Sequence, residues 1–354
     1  MINQRRANII GLGLIGGSVG LALRERGWYV SGDDHDGTRV DRALALGAVD
    51  AAGLDDTAEI TFVATPVLTV ADQVKRALAE TTGLVTDVGS VKGTISEAIE
   101  DPRFVGGHPM AGSELEGLDG ADASMFVGAV WVLTPVATTA DETFARTASI
   151  VADLGADVVA LPPARHDQVV AVVSHVPHLA AATLMGLASE RAEEHAALLR
   201  LAAGGFRDMT RIASGHPGIW LDICAENREA ILDGLDGLID GLQRMRDIVR
   251  DDDRAALHDR LRRARDARAN LPTRGTQPSE LAEVRIPIPD RTGAAAEVFT
   301  LAAELGVNIA SFEVVHSVEG NRGVAIVLVD ALAVDLFRGG LLARGFRPAV
   351  QRLN

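Results

Sequence analysis

From Ala7 to about Pro162, short apolar runs alternate with stretches in which apolar residues recur every three or four positions. ANIIG, WYVSG, ITFVAT, LVTDV, RFVGG, AVWVLT and ADVVAL read as strands, and VGLALRERG, LTVADQVKRALAE and DETFARTASIVADLG read as helices between them. Strands joined through helices need crossover connections, so the pattern predicts a mostly parallel sheet covered by helices. After Pro163 the strand pattern stops and about a hundred residues read as helix, by the same periodicity. The stretch from His216 to Arg250 reads as one long helix, with Pro217 in its first turn. Its apolar positions Ile231, Leu235, Leu238, Leu242, Met245 and Val249 are spaced 4, 3, 4, 3 and 4. Such a stripe needs a partner helix. It predicts a homodimer built through the helical region, with packing inside one bundle as the plainer alternative.

The charged run RDDDRAALHDRLRRARDARAN then gives way to LPTRGTQPSE, which has two prolines, a glycine and no apolar run and reads as a linker. The strand EVRIPI, a helix at AAAEVFTLAAELG, strands at IASFEVVHSV and RGVAIVLVD, a further helix and the strand end RPAVQRLN follow in βαββαβ order. The expected organisation is a parallel-sheet domain over 1–163, an all-helical domain over 164–270, a linker over 271–280 and a small α+β domain over 281–354.

Composition adds exclusions. A chain of 354 residues exceeds one ordinary core, in keeping with several domains. A net charge of -15 gives a field that repels nucleic acid and anionic membrane, so neither is an expected partner, and the site of any anionic ligand must be locally basic. Cys224 is the single cysteine and forms no intrachain disulfide, which fits a reducing cytoplasm. MINQRR followed by NIIGLGLIGGSVGLAL imitates a signal peptide, but four glycines interrupt the apolar run and RERG follows it. It reads as cytosolic structure, and no other segment is expected to reach membrane-spanning length without charge.

Within that run Gly11, Gly13 and Gly16 form G-x-G-x-x-G after a strand and at the opening of a helix. Gly11 suits the tight turn, Gly13 lets backbone approach a pyrophosphate, and Gly16 permits close helix packing; Leu14 and Ile15 stand between the last two at the helix N-terminus. The N-terminal domain is therefore expected to be of Rossmann type. The second strand ends in Asp33 and Asp34, where an acid meets the adenosine ribose diol. Asp34 is the first choice and Asp33 the second, which favours NAD over NADP, although His35 and Arg39 nearby leave the preference open. Thr65, Pro66 and Ser90 end later strands and should line the same dinucleotide site.

Polar residues cluster in GGHPMAGSE, with His108, Ser113 and Glu114; in VVSHVPHLAAA, with Ser174, His175 and His178; and in GFRDMTRIASGHPGIW, with Arg207, Asp208, Arg211 and Trp220. Together with GLGLIGGS and DVGSVK, and in this order from about Ala7 to Val249, these segments resemble the prephenate dehydrogenase family. Its enzymes oxidise prephenate, or its amino counterpart arogenate, with NAD(P) as carbon dioxide leaves and the ring becomes aromatic. The resemblance implies that His108 is the catalytic histidine that accepts the proton of the ring hydroxyl, with Ser90 beside it. An imidazole suits that work, and Gly106, Gly107 and Pro109 already argue for a fixed position open to close approach. It implies that Arg211 grips a substrate carboxylate and that His178 contacts substrate; Asp208, one turn before Arg211, is placed to orient it, His175 lies on the face of His178, and Arg207 and Ser113 are counted with the substrate site. Ser90, Ser113 and Lys92 match positions near nicotinamide and substrate. Pro177 should kink its helix and leave Ser174 and the histidines facing a cleft. No metal site is expected.

The tail PDRTGAAAEVFTLAAELGVNIASFEVVHS resembles the ACT regulatory domain, with Thr292 where a proline is usual. That resemblance implies an amino-acid effector held near Gly293 and Asn308, and feedback inhibition by tyrosine. Two other functions stay open. A β-hydroxyacid dehydrogenase usually relies on a lysine in its helical domain, and Val169 to Ile248 contains none. A non-catalytic sensor of NAD and an amino acid would have no need for His108, His178 and Arg211 together.

Overall fold

The computed structural model describes residues 4–112, 115, 117–194, 202–271, 281–289, 293–316 and 322–352. They fall into two compact units, 1–244 and 245–354. The first unit contains strands β1 (Arg6–Ile10), β2 (Tyr29–Asp33), β3 (Ala51–Ala52), β4 (Ile60–Val63), β5 (Leu84–Asp87), β6 (Phe104–Pro109), β7 (Val130–Thr134) and β8 (Asp157–Ala160). They form one sheet in the order β3-β2-β1-β4-β5-β6-β7-β8. Every neighbouring pair is parallel except β6 and β7, which are antiparallel. All seven expected strands form; the two-residue β3 is too short to leave a pattern.

Helices α1 (Leu14–Glu25), α2 (Gly37–Leu46), α3 (Val67–Glu80), α4 (Gly93–Ala98) and α5 (Asp141–Asp153) supply most of the crossovers. The inner strands are mostly apolar because both faces are covered: Ile9, Val30, Ile60, Phe62 and Val85 are wholly buried, with Asn8, Thr61 and Thr86 buried among them. Strand order reverses between β1 and β4, and at such a switch point the loops part to leave a crevice.

The helical region starts with α6 (Pro163–Val170) and α7 (Val176–Glu194), joined without a break by the π-turn Ala171–His175. Pro177 has no N–H and its ring crowds the carbonyl four residues back, so a kink was the sequence expectation. The chain instead widens the turn, and the Val176 N–H donates to the Ala171 carbonyl five residues earlier. Pro163–Arg191 is also long and apolar enough to cross a membrane by length and composition, against the expectation that no further segment would be. Its His166, Asp167, His175 and His178 are spaced widely enough to leave a mean hydropathy of 1.5 over its best window.

Next come α8 (Gly204–Thr210), α9 (Pro217–Glu226) and α10 (Arg228–Arg250). The single helix expected from His216 to Arg250 is thus two, divided at Asn227, whose side chain is drawn into a buried polar network described below. On α10 Ile231 is buried, whereas Leu242 and Val249 are 60% and 62% exposed, so the apolar stripe is only partly covered within one chain.

The second unit includes α11 (Arg254–Ala269), β9 (Leu281–Pro289), α12 (Ala294–Glu304), β10 (Ile309–His316), β11 (Arg322–Asp330), α13 (Val334–Ala343) and β12 (Ala349–Arg352). Its antiparallel sheet has the order β10-β11-β9-β12, the ferredoxin-like arrangement of a βαββαβ chain. A separate core of Val284, Ile286, Val298, Val327, Phe337 and Leu341 holds α12 and α13 to the sheet. Most of the expected linker, 272–280, lies outside the described residues.

Candidate active site

The carboxyl ends of β1, β2, β4, β5 and β6 carry almost every residue that the sequence nominates for cofactor and chemistry. Gly11 turns the chain with φ 95°, and a Cβ there would lie 2.6 Å from the Ala64 carbonyl oxygen. At Gly16 a Cβ would lie 1.9 Å from the Gly11 carbonyl oxygen, so this glycine lets α1 start directly against the turn. A Cβ on Gly13 meets nothing within 4 Å. Gly13 is also the N-cap of α1 and offers no side-chain cap, so the first-turn amides around Leu14 and Ile15 point at open space with the positive end of the helix behind them.

The two aspartates part company. The buried Asp34 carboxylate accepts the Leu12 N–H at 2.8 Å and the Asp36 N–H at 3.0 Å, so it faces the glycine loop. Asp33 turns to α3 and pairs with Arg76 at 2.6 Å. Thr65 lies against Gly11 and its hydroxyl is buried without a hydrogen-bond partner among the described residues; Pro66 caps α3. An uncapped helix end, an unfilled approach at Gly13, a spare hydroxyl and an inward carboxylate fit a dinucleotide with its pyrophosphate on α1.

His108 closes β6, where Gly106 and Gly107 pair with Thr134 and Leu133 of β7. A Cβ on Gly107 would lie 2.6 Å from the Asp87 carbonyl oxygen, so this strand end passes hard against β5. Beneath it lies a wholly buried ion pair, Lys92 with Asp87. Lys92 Nζ also donates to the Gly107 carbonyl at 2.9 Å, and the Asp87 carboxylate accepts the N–H groups of Gly89 at 2.8 Å and Gly107 at 3.1 Å. Burial pushes the Lys92 ammonium below the ordinary lysine value while Asp87 opposes that shift. Lys92 therefore supports the site from below, and its ammonium reaches no solvent-facing surface. Ser90 sits half-buried on the loop between these two residues.

From His108 a buried polar chain runs into the helical region. His108 Nδ1 lies 2.8 Å from His166 Nε2, and His166 Nδ1 lies 2.7 Å from Asp167 Oδ1, both on α6. Asp167 also accepts the backbone N–H groups of Lys92 and Gly93, each at 2.8 Å, at the start of α4. Asn227 Nδ2 donates to the Asp167 carbonyl at 2.9 Å and to His175 Nδ1 at 3.2 Å. The His175 ring meets Trp220 edge-on at 6.0 Å, and Trp220 stacks on His178 at 3.6 Å. His178 bonds the Ile212 backbone, within the 3-10 turn Arg211–Ser214. Arg211 opens that turn and Arg207 precedes it on α8, both exposed. The Arg207 Nε–H donates to the Ala202 carbonyl at 3.2 Å.

Burial shapes the protonation of these rings. His108 is held well below the ordinary histidine value, by burial first and then by His166, Lys92 and His175. His175 is lowered to about 4, again mainly by burial, with Asp167 opposing. His178 is lowered by burial while its bond to Ile212 opposes. Neutral imidazoles at cell pH are what a base and a set of uncharged contacts require. Because His175 Nδ1 accepts from Asn227, its Nε2 carries the hydrogen, a buried donor unmet among the described residues.

The structure thus gathers Gly11, Gly13, Leu14, Ile15, Gly16, Asp34, Thr65, Pro66, Ser90 and His108 at the carboxyl end of the sheet, and links His108 through buried side chains to His175 and, by way of the half-buried Trp220, to His178 and the Arg211 turn. Ser113 and Glu114 lie outside the described residues. Gly293 and Asn308 are not brought together: Gly293 has φ 91° before α12, Asn308 follows the other end, and eleven helical residues span about 16 Å. Thr292 is outside the described residues. Sequence reasoning missed His166, Asp167 and Asn227; the only signal was a His-Asp pair in the first turns of an otherwise apolar helical run. Among the described residues no cluster of side chains suits a metal ion.

A switch-point glycine loop, a buried imidazole at a neighbouring strand end and a helical region that brings arginines and histidines define a two-part dinucleotide-binding oxidoreductase. Two family models match the chain, the nucleotide-binding domain of prephenate dehydrogenase over residues 19–160 and its dimerization domain over 162–263. Prephenate dehydrogenase of Bacillus subtilis is 32% identical over 343 residues, 91% of this chain and 92% of that protein. A crystal structure of prephenate dehydrogenase from A. aeolicus, in complex with hydroxyphenyl propionate and NAD+, is 28% identical with a TM-score of 0.70, over 75% of this chain and 98% of that one. Arogenate dehydrogenase of Synechocystis is 32% identical with a TM-score of 0.64, over 74% and 98%. The chain belongs to the prephenate dehydrogenase family.

Proposed function

We infer that this chain is an NAD-dependent prephenate dehydrogenase, which oxidises and decarboxylates prephenate to 4-hydroxyphenylpyruvate in tyrosine biosynthesis. The observation that carries the reading is the largely buried chain from His108 to the Arg211 turn, starting at the same carboxyl end of the sheet as the dinucleotide loop. NAD, when bound, supplies the hydride acceptor. Gly11, Gly13, Leu14, Ile15 and Gly16 receive its pyrophosphate, Asp34 its ribose diol, and Thr65 and Pro66 flank it. His108 takes the ring hydroxyl proton as the carbon beneath loses hydride and the carboxylate on the far side of the ring departs as carbon dioxide, and the proton then returns to the phenolate oxygen of the product. Ser90 lines the nicotinamide side, and Arg211, Arg207, His178, His175 and Ser113 hold the substrate.

The test is NADH absorbance with prephenate and then arogenate, beside a His108→Asn variant. Turnover of prephenate that collapses in the variant supports the reading; wild-type turnover in the variant overturns the role of His108. A strong preference for arogenate would reassign the substrate, a reading that the Synechocystis relative keeps in view.

The domain limits 1–163, 164–270, 271–280 and 281–354, a homodimer through the uncovered stripe of α10, and a cytoplasmic location complete the proposal. The βαββαβ tail is proposed as an ACT-like effector domain. Because Gly293 and Asn308 stand at opposite ends of α12, an effector touching both needs two copies of the domain. Dehydrogenase activity indifferent to tyrosine, phenylalanine and tryptophan would remove this part of the proposal.

A further inference from the structure

We propose that His166 and Asp167 are positioning residues that fix the tautomer of His108 and draw off the charge it acquires; this rests on His108 being the base. The argument starts at Asp167. Its carboxylate already accepts two backbone N–H groups, from Lys92 on Oδ1 and from Gly93 on Oδ2, so both oxygens are acceptors held in place at the start of α4. The His166 nitrogen 2.7 Å from it must therefore be an N–H, which places hydrogen on Nδ1 of His166. A neutral His166 then presents a bare Nε2, 2.8 Å from His108. His108 must donate to it, so hydrogen sits on Nδ1 of His108 and its Nε2 is left bare. That nitrogen is the basic atom, and it is the one turned away from the relay.

When His108 Nε2 takes a proton, the imidazolium donates through Nδ1 to His166, and the positive charge leans on Asp167 through a second ring. The two ring nitrogens, 2.8 Å apart, are joined by a single hydrogen. Without His166, the Nδ1–H of His108 would be a buried donor with no acceptor, and the ring would lose its reason to keep Nε2 free.

Ring-15N histidine NMR of the full-length protein tests this without turnover, with His108 assigned by its loss in His108→Asn. The expected spectrum shows His108 protonated at Nδ1 and bare at Nε2; a wild-type His108 protonated at Nε2 overturns the inference. In kinetics, His166→Leu should lower kcat on the order of 100-fold, the low end of what a general base contributes, with the KM for NAD unchanged. His166→Gln, whose amide oxygen can stand in for the accepting nitrogen, should recover most of that loss. An inactive His108→Asn beside a His166→Leu enzyme at wild-type kcat would sink the relay and leave His108 as base. A fully active His108→Asn would instead sink the reading on which the relay rests. Should His166→Leu fail to fold, the wild-type spectrum alone decides.

Discussion

Replacing Lys92 by Met tests the buried ion pair beneath the His108 strand. Methionine keeps most of the apolar stem of lysine but removes its ammonium, in a place where both side chains are wholly buried. Asp87 would be left with backbone donors at Gly89 and Gly107 and no counter-charge. Removing one member of a buried pair costs about 3–5 kcal/mol, because the other stays desolvated. Against a domain stability of roughly 5–15 kcal/mol, that is a large loss. The double variant Lys92→Met with Asp87→Asn removes both charges and keeps a side-chain acceptor for the Gly107 N–H. It should be more stable than Lys92→Met alone, and the two single losses should exceed the double by about 2 kcal/mol or more, since residues in one network do not add. Urea unfolding followed by tryptophan fluorescence measures all four proteins, because Trp28, Trp131 and Trp220 lie in the first unit. Lys92→Met should also lower kcat, since the Gly107 carbonyl beside His108 loses its donor. Additive losses within about 0.5 kcal/mol, or a Lys92→Met protein as stable as wild type, would refute the claim that the charges depend on one another.

Three further outcomes follow from the geometry. Gly13→Ala should fold normally, its extended backbone accepting a Cβ that meets nothing, while the NAD Kd measured by calorimetry rises on the order of tenfold, about 1.4 kcal/mol; Gly16→Ala, with a contact at 1.9 Å, should lose stability as well as NAD binding. Because the His175 pKa is depressed to about 4 in the folded chain, the stability it contributes is complete above its unfolded value near 6.5 and falls away as pH drops through 4, by about 3 kcal/mol in all. Urea midpoints of wild type and His175→Gln should converge across that window, and parallel pH curves would count against it. Leu242→Glu should split the proposed dimer in analytical ultracentrifugation without lowering thermal stability of the single chain, since Leu242 is 60% exposed there.

The sheet was legible because its strands are buried on both faces and bounded by glycine and proline, and the glycine loop because three glycines stand at fixed offsets beside a strand and a helix. The βαββαβ tail was legible from alternation alone. Asn227 was not: nothing in ICAENREAIL marks an interruption, since asparagine is tolerated in helices and the apolar spacing continues past it. Its effect comes from long-range bonds to Asp167 and His175, which sequence periodicity does not encode. His166 escaped for a similar reason, since its meaning depends on His108, 58 positions away. Pro177 announced a disturbance but not its form, because a kink and a widened turn relieve the same clash.

That widened turn has a consequence for how this protein can change. A π-turn is an α-helix that has absorbed one additional residue. Deleting any one residue from Ala171–His175 would let the helix close up in regular register with α6 and α7 kept in nearly the same phase, because the five residues of the π-turn carry the helix about as far round as four α-helical ones. His178 would stay near Trp220 and His166 near His108, so only the side chains within the turn would be re-aimed. The turn therefore acts as a buffer of length between two halves of the proposed active site. Val172 and Val173, exposed on the turn, are free to change, and the turn is the one stretch of this helix that can lose a residue without turning what lies beyond it.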